Sequence, residues 1–196
     1  MSTALIHLRK VLNSYNELSE SSWQAYASCC QVKTLKKGDI LYSFGEKLLS
    51  FSFIHRGLMR AYFIDEGGNE YNKTFFTEGR FPGSMSALLK SEPNGMEIQA
   101  MEDCEIVEIN HAQYRQTMFE HADLMKYQIA YLERHWLLEK EPKEMGYLQH
   151  EAKERYLSFV EQFEDVLPRI AQYHIASFLG ITPTQLSRIK KELKEN

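Results

Sequence analysis

The sequence predicts an α+β fold in which an N-terminal antiparallel β-roll, of the jelly-roll or double-stranded β-helix type, is followed by a long helix and a C-terminal helix-turn-helix. Short apolar runs separated by Gly and Pro over residues 32–110 indicate strands and turns. Beyond His111 the apolar spacing becomes helical, and residues 175–191 place a glycine between two short helical patterns. We therefore divide the chain into N-terminal helices with the β-roll, a long dimerisation helix, and a winged-helix-like unit whose wing is short or absent, at residues 1–111, 112–145 and 146–196.

The N-terminal part begins with helical spacing over residues 4–27, where Ser19 or Ser21 is available to cap a second short helix. Residues 58–64 lead into a Gly-rich turn and back out through residues 70–76, which predicts a β-hairpin. Further strands are predicted at residues 40–42, 51–54, 96–101 and 105–110.

The predicted long helix carries a wide, partly aromatic stripe at helical spacing, formed by Leu124, Tyr127, Tyr131 and Leu138. Because a helix that leaves a β-domain has little of its own chain to cover such a face, we predict that the stripe forms a homodimer interface. The alternative is that it packs only on its own β-roll. Pro142 is expected to kink or end the helix, and helical spacing resumes over residues 151–163.

The C-terminal pattern predicts two short helices joined by a tight turn. Gly180 stands where the first helix must stop, a position that favours a left-handed backbone. Thr182 is a natural N-cap for the second helix, and Pro183 suits its first position. The buried faces are predicted to be formed by Ile175, Ala176, Leu179, Leu186 and Ile189.

The side chains of the second helix are of the kind that hydrogen-bond base edges in a DNA major groove. Thr184, Gln185 and Arg188 point outward near its start, and a guanidinium can bind guanine O6 and N7 in a bidentate way. Ser187, Lys190, Lys191 and Lys194 are placed to reach phosphates. The predicted DNA-binding residues are Thr182, Pro183, Thr184, Gln185, Ser187, Arg188, Lys190 and Lys191. The alternative is a surface helical hairpin whose charges are only solvated.

Charge supports the first interpretation. The chain has 23 Lys and Arg against 27 Asp and Glu, a net charge of −4, so it is not a polycation that coats nucleic acid without selection. Residues 169–196 hold five basic residues and two acidic ones, a local excess of positive charge. The acidic remainder would orient the C-terminal end toward DNA.

Other classes of protein are not favoured. Cys29 and Cys30 are adjacent and Cys104 is alone, so there is no CxxC pair and no set of metal ligands, and no metal or cofactor is predicted. No apolar run is long enough for a bilayer and no secretory signal is present, which predicts a cytoplasmic protein with no membrane partner. A cupin-like enzyme would need a His-rich metal set, and we find no His-x-His pair, nucleophile elbow or phosphate-binding loop, so we predict no enzyme activity.

The order of these elements, with Gly38-Asp39, Gly45-Glu46, Gly57, residues 79–83 and residues 175–191 in register, resembles the Crp/Fnr family of bacterial transcription regulators. Residues 179–183 and 186–190 especially resemble the branch found in Bacteroidetes. The resemblance implies a homodimer that binds double-stranded DNA with two-fold symmetry, and RNA polymerase as a partner. In the cyclic-AMP-binding member of the family the first two base-contacting positions are Arg and Glu, where this chain has Pro183 and Thr184, so only Arg188 carries over and the preferred DNA sequence should differ.

The effector site departs from the family pattern as well. Cyclic-AMP-binding members have a glutamate and then an Arg-Ser pair where this chain has Ser84 and then Asn94 and Gly95, so we predict that cyclic AMP is not bound in the usual way. Family geometry places an effector pocket of unknown ligand at Phe81, Gly83, Ser84, Met85, Asn94, Tyr127 and Tyr131. The alternative is that the protein's own side chains fill this space. His55 or His111 is available as a haem ligand, although a lone histidine is more often only a surface residue.

Taken together, these patterns predict a Crp/Fnr-type regulator that binds DNA. The alternative from a different class is a cytoplasmic ligand-binding β-roll that acts through protein contacts.

Overall fold

The computed structural model describes residues 2–139 and 151–195. Its α-helices are α1 (Thr3–Asn13), α2 (Glu20–Ser28), α3 (Met85–Lys90), α4 (His111–Glu120), α5 (Ala122–Leu132), α6 (Ala152–Gln162), α7 (Gln172–Leu179) and α8 (Pro183–Glu195). A π-helical segment (Glu133–Leu138) follows α5, and a 3-10 helix (Glu164–Arg169) follows α6. The strands are β1 (Cys30–Leu35), β2 (Ile40–Tyr42), β3 (Ser50–Arg56), β4 (Met59–Ile64), β5 (Glu70–Phe76), β6 (Glu97–Ala100) and β7 (Cys104–Asn110).

The strands form two antiparallel sheets, in the orders β1-β7-β3 and β2-β6-β4-β5, which confirms the predicted β-roll. Successive residues of a strand face opposite sides, so each strand gives alternate side chains to the space between the sheets. That space is filled by large apolar residues such as Phe53, Ile98 and Ile106, all fully buried. Helices α1, α2, α4 and α5 add their apolar faces to the same core.

The predicted β4–β5 hairpin is present, with Met59 opposite Phe76 and Ile64 opposite Glu70. Its register shifts between Ala61, which pairs with Thr74, and Tyr62, which pairs with Asn72, so Lys73 is an extra residue in the ladder. A β-bulge of this kind changes which side chains share a face. Asn72 and Phe75, three residues apart, are both buried against the C-terminal part of the chain.

The N-terminal helices form as predicted, and Ser19 rather than Ser21 caps α2. The Ser19 hydroxyl accepts a hydrogen bond from Ser22 N at 3.2 Å. Asp123, in the first turn of α5, fixes this corner from the other side by accepting from Ser19 N at 2.9 Å and from Ser22 Oγ at 2.7 Å. Although burial alone would raise the pKa of Asp123, these hydrogen bonds lower it to about 2.

The region predicted as one long helix over 112–145 is helical as far as Leu138 but is not continuous. The extended backbone of His121 (φ −128°, ψ 111°) separates α4 from α5, because the chain turns there to place Asp123 against α2. The prediction about Pro142, and the end of the helix near residue 145, lie outside the described residues.

The predicted dimer stripe is wrong for two of its four residues. Leu124 and Tyr127 are buried inside the protomer, and Tyr131 is half-buried, its ring 5.5 Å from that of Phe81. Leu138 alone of the four is largely exposed. Helical spacing identified an apolar face correctly, but α1 and the β-roll of the same chain cover most of it. The exposed apolar side chains of α5 and the π-helical segment are those of Ile129, Leu132, Trp136, Leu137 and Leu138.

The C-terminal helices share a core with the β-roll. Phe75 of β5 packs edge-on against Phe159 and Phe163, with ring centroids 6.0 and 5.6 Å apart, and Leu58 joins the same cluster. The remaining buried members are Tyr156, Val166, Ile170, Ile175, Ala176, Leu179 and Leu186. The C-terminal unit is therefore docked on strands β4 and β5 rather than tethered beside them.

We expect Gly57→Ala to destabilise the fold far more than Gly38→Ala. Both glycines have positive φ, +113° and +94°, so each substitution adds left-handed strain of about 1–2 kcal/mol. A Cβ on Gly57 would also lie 2.9 Å from Cys104 Cα, whereas a Cβ on Gly38 would meet nothing within 4 Å. Overpacking adds a further cost of about 1–3 kcal/mol at Gly57 only. Urea unfolding of the two variants measures the difference, and equal losses of stability would show that Gly57 is not sterically constrained by Cys104.

Candidate nucleic-acid interface

The turn between α7 and α8 is built by local chemistry, as the sequence predicts. Gly180 has the left-handed backbone (φ 65°, ψ 33°) that ends α7, and the next residue, Ile181, donates its N–H to Ala176 O at 3.0 Å. Arg155 of α6 donates to the carbonyl of Leu179 at 3.2 Å, so a carbonyl in the last turn of α7 also has a partner. The chain therefore reverses direction without leaving these groups unsatisfied.

Helix α8 begins with a reciprocal capping box. Gln185 N donates to Thr182 Oγ1 at 3.2 Å, and Thr182 N donates to Gln185 Oε1 at 2.9 Å. Pro183 occupies the first helical position, where its missing N–H leaves no bond unmade. Because Gln185 Oε1 also accepts from the Thr182 hydroxyl at 3.1 Å, this oxygen is used inside the protein. A contact from Gln185 to a base would come through its Nε2 group.

One face of α8 is buried and the opposite face is exposed. Leu186 is buried against α7, with Ile189 and Leu193 partly buried beside it. Thr184, Gln185 and Arg188 are all exposed. The residues predicted to read bases therefore face solvent while the C-terminal unit is docked on the β-roll.

Beside this exposed face lies a basic hollow of about 480 Å³. The residues that α8 contributes follow one side of the helix, where positions three or four apart are neighbours. Lys190 Nζ donates to Gln172 Oε1 at 3.0 Å across the hollow, from α8 to the first residue of α7. The hollow is lined by Gln172, Pro183, Ser187, Lys190, Lys191 and Lys194. Gln172 was not predicted, because only the fold brings it beside the lysines.

Arg169 is not part of this basic surface. Its guanidinium binds two carboxylates of the β-roll, with Nη2 2.9 Å from Glu78 Oε1 and 2.5 Å from Glu102 Oε1. Burial would raise the pKa of Glu78, but hydrogen bonds from Arg169 and from Gly57 N bring it below its ordinary value. The positive charge that the sequence assigned to Arg169 is therefore neutralised within the protein.

A second polar contact joins the β-roll to α7, and we call it the His174 cluster: Arg60, Glu70, Asn72, His174 and Ser177. His174 Nδ1 lies 3.2 Å from both Arg60 Nη1 and Asn72 Nδ2. Burial, and then the charge of Arg60, lower the pKa of His174 to about 4, so the ring is neutral near pH 7 and Nδ1 can accept from both groups.

The same cluster includes backbone contacts. Ser177 Oγ donates to Glu70 O at 2.8 Å and accepts from Asn72 N at 3.0 Å. Asn72 Nδ2 also lies 3.1 Å from His174 O. Arg60 is held in place by Gln99 Oε1 at 2.7 Å and by Glu70 Oε2 at 2.5 Å. Sequence reasoning missed all five residues, because polar residues in a hairpin and a helix give no local signal of a contact across more than 100 positions.

Of the seven residues predicted for an effector pocket, Ser84 lines a cavity and the other six make packing contacts. Ser84 lines a cavity of about 370 Å³, with Phe63 of β4 and Lys73 of β5 among its other walls. The full lining is Phe63, Lys73, Ser84, Ser86, Ala87, Glu92, Pro93, Gly95 and Met96. The cavity thus offers an aromatic ring, a cation, hydroxyls and a carboxylate, and Lys73 was not predicted.

The aromatic members of the predicted pocket pack against one another instead. The ring of Tyr131 lies 5.5 Å from Phe81 and 5.6 Å from Tyr15, two residues after the end of α1, and Tyr15 lies 5.9 Å from Tyr127. Burial raises the pKa of Tyr131 to about 12. In this part of the predicted pocket the protein's own aromatic side chains contact one another, which is the arrangement that the alternative describes.

Three further predicted pocket residues serve packing. Asn94 is buried, and its Nδ2 donates to the carbonyls of Ser43, at 3.1 Å, and Met96. Met85 packs on the main core, and a Cβ on Gly83 would lie 2.9 Å from Phe51 Cβ.

The described residues show no arrangement that could hold a metal ion and no helix that could cross a bilayer. Within residues 2–139 and 151–195, no group of three or more His, Cys, Asp or Glu residues is placed to hold a metal ion. His55, one of the two histidines considered for haem, has its Nδ1 3.1 Å from His7 Nδ1. Among the helices in the described ranges, none has the length and apolar character to cross a bilayer.

Comparisons with known proteins agree with this architecture. Residues 32–121 match the family model of the cyclic nucleotide-binding domain. Over 109 residues the chain is 26% identical to the cAMP-activated global transcriptional regulator CRP of Pasteurella multocida, covering 56% of this chain and 52% of that relative. The matched region thus spans about half the length of CRP.

Solved structures are similar over most of the chain. CLP, the c-di-GMP responsive global regulator of Xanthomonas campestris, has a TM-score of 0.71 at 14% identity and covers 90% of this chain and 92% of its own. FixK2 from Bradyrhizobium japonicum has a TM-score of 0.71 at 16% identity and covers 85% of each chain. At these identities the similarity establishes the fold.

Residues 32–121 are therefore similar in sequence to cyclic nucleotide-binding domains. The chain is similar in sequence to CRP over about half of its length, and it has the fold of the Crp/Fnr transcription regulators. CRP is described as a transcriptional regulator and CLP as a global regulator linked to gene expression, which is the class of protein that the sequence predicts.

Proposed function

We propose that this protein is a sequence-specific DNA-binding transcription regulator that binds a two-fold symmetric site as a homodimer. The observation that carries the proposal is the surface of α8, where the exposed residues Thr184, Gln185 and Arg188 lie next to a hollow lined by three lysines. Base-reading groups beside phosphate-binding groups, on the second helix of a capped helix-turn-helix, are what major-groove recognition needs. As a regulator it would act in the cytoplasm together with RNA polymerase.

The dimer interface that we propose is the exposed apolar face at the end of α5 and in the π-helical segment. Ile129 is 56% exposed, Leu132 42% and Leu138 73%, and together they would leave an apolar surface in water. A two-fold axis would bring the same patch of a second copy onto it and bury both. The same symmetry would place two copies of α8 on one face of DNA, as half-sites one helical turn apart require.

The effector that we propose binds the cavity beside β5 and is not cyclic AMP. The cavity has Ser84 and Lys73 in its walls, while Asn94, at the position of the family's phosphate-binding arginine, is buried and bonded to backbone carbonyls. A bidentate arginine contact to a cyclic phosphate has no equivalent at that position.

Arg188→Ala is expected to weaken specific binding by about 1–3 kcal/mol per half-site and to relax selectivity at one base pair, because a bidentate base contact is lost. Selection of sequences from a random DNA pool by the wild type defines the site, and fluorescence anisotropy measures the variants on it. Lys194→Ala is the matched control, since loss of a phosphate contact should weaken binding to all sequences about equally and reduce the salt dependence. Unchanged affinity and unchanged preference in Arg188→Ala would refute the assigned role.

Ile129→Glu should convert the dimer into a monomer. The protomer mass is 23.0 kDa, so light scattering after size exclusion distinguishes the two states. Two-fold symmetry places the new carboxylate in the interface twice, and burial of unpaired charge should raise the dissociation constant at least about 100-fold. Ile6→Glu is the matched control, because Ile6 is another helical isoleucine that is 56% exposed. A dimer that survives Ile129→Glu, or dissociates equally with Ile6→Glu, would place the interface elsewhere.

Titration calorimetry with cyclic AMP should show no saturable binding at millimolar nucleotide, because the position of the phosphate-binding arginine holds Asn94. The cAMP-activated CRP of Pasteurella multocida serves as the positive control in the same buffer. Stoichiometric binding of cyclic AMP to this protein would overturn the prediction.

A further inference from the structure

The placement of the C-terminal unit on the β-roll depends on two different kinds of contact. The aromatic cluster around Phe75 supplies apolar burial, which stabilises docking but does not fix rotation or sliding of one surface on another. The His174 cluster supplies hydrogen bonds, which are directional and need defined distances and angles. These bonds join strands β4 and β5 to α7, the helix against which α8 packs through Leu179 and Leu186.

We infer that His174, Asn72 and Ser177 are positioning residues for DNA binding: their contacts fix α7, and through it α8, at the distance from the dimer axis that two half-sites require. This inference rests on the proposed function. None of the three need touch DNA, because their role is to hold the reading helix at one place relative to the β-roll.

The geometry supports a role in positioning because the cluster leaves little freedom. His174 Nδ1 accepts from two groups that come from two different strands, Arg60 on β4 and Asn72 on β5. Ser177, one turn later on α7, both donates to the backbone of β5 and accepts from it. A slide of α7 along β5 by one residue would break all of these bonds at once and leave the buried Nδ1 of His174 without these two donors.

The physical consequence concerns the two C-terminal units of a dimer, one from each protomer. When both are held at the right separation, the binding of the second half-site is intramolecular and gains from a high effective concentration. When the two C-terminal units are not held at a fixed separation, each still recognises its half-site. The gain in affinity from the second half-site is then smaller and depends less on the spacing between half-sites. A contact that only stabilises the fold would instead affect single and paired half-sites alike.

The test measures the affinity of the full chain for three kinds of DNA: the selected two-fold site, the same half-sites with one to five base pairs added or removed between them, and a single half-site. For the wild type we expect a sharp optimum in spacing. For His174→Leu we expect single half-site affinity within about twofold of the wild type, at least about a tenfold smaller gain from the second half-site, and a flattened spacing profile. His174→Asn, which keeps an acceptor near the position of Nδ1, should restore much of both.

Two further variants keep the test decisive. Ser177→Ala removes only the bonds to Glu70 O and Asn72 N and should give a milder flattening, so it carries the test if His174→Leu does not fold. Gln162→Ala, at an exposed position on α6, is the control and should match the wild type. Circular dichroism and light scattering confirm that each variant is folded and dimeric.

The outcomes separate the two claims. If His174→Leu and Ser177→Ala keep the sharp spacing optimum, or lose single and paired half-sites in equal proportion, the positioning role is refuted while the proposed function stands. If the wild type selects no DNA sequence, the proposed function itself fails, and the positioning role fails with it.

Discussion

The docking of α7 on strand β5 determines where the exposed surface of α8 lies, the surface that we propose for DNA binding. Phe75 inserts among the rings of Phe159, Phe163 and Phe178, and such aromatic pairs contribute about 0.5–1.5 kcal/mol each beyond their buried area. The β-roll thus adds apolar side chains to the core of the C-terminal unit. Without them this core would be small, because the unit contains few residues. A change in the position of β5 is therefore also a change in the position of α8.

The parts of the fold that could be predicted from sequence are those decided within a few residues. Gly180, Thr182 and Pro183 specify their turn because left-handed backbone, a side-chain acceptor and a missing N–H each have local causes. The β4–β5 hairpin and the cap at Ser19 follow in the same way. Exposure of Thr184 and Arg188 follows from helical geometry once Leu186 and Ile189 are assigned to the buried side.

Choices between distant partners could not be predicted. Periodicity shows that Leu124 and Tyr127 lie on an apolar face, but not whether α1 or a second copy covers that face. Arg169 counts as a basic residue in the sequence, although Glu78 and Glu102, more than sixty positions away, neutralise it. In the same way, packing separates the residues of the expected pocket, since Phe81, Tyr127 and Tyr131 join the core while Ser84 lines a cavity, and composition alone does not reveal this.

The bulge in β5 turns neighbouring residues of this strand toward two different surfaces. Its extra residue, Lys73, lets Asn72 and Phe75 share the side that meets α7, while Lys73 itself lines the cavity. Because a bulged residue has no partner of its own across the ladder, the strand is irregular at Lys73, next to Asn72. A ligand in this cavity, as we propose for the effector, would therefore contact β5 one residue away from Asn72, whose Nδ2 lies 3.1 Å from His174 O of α7.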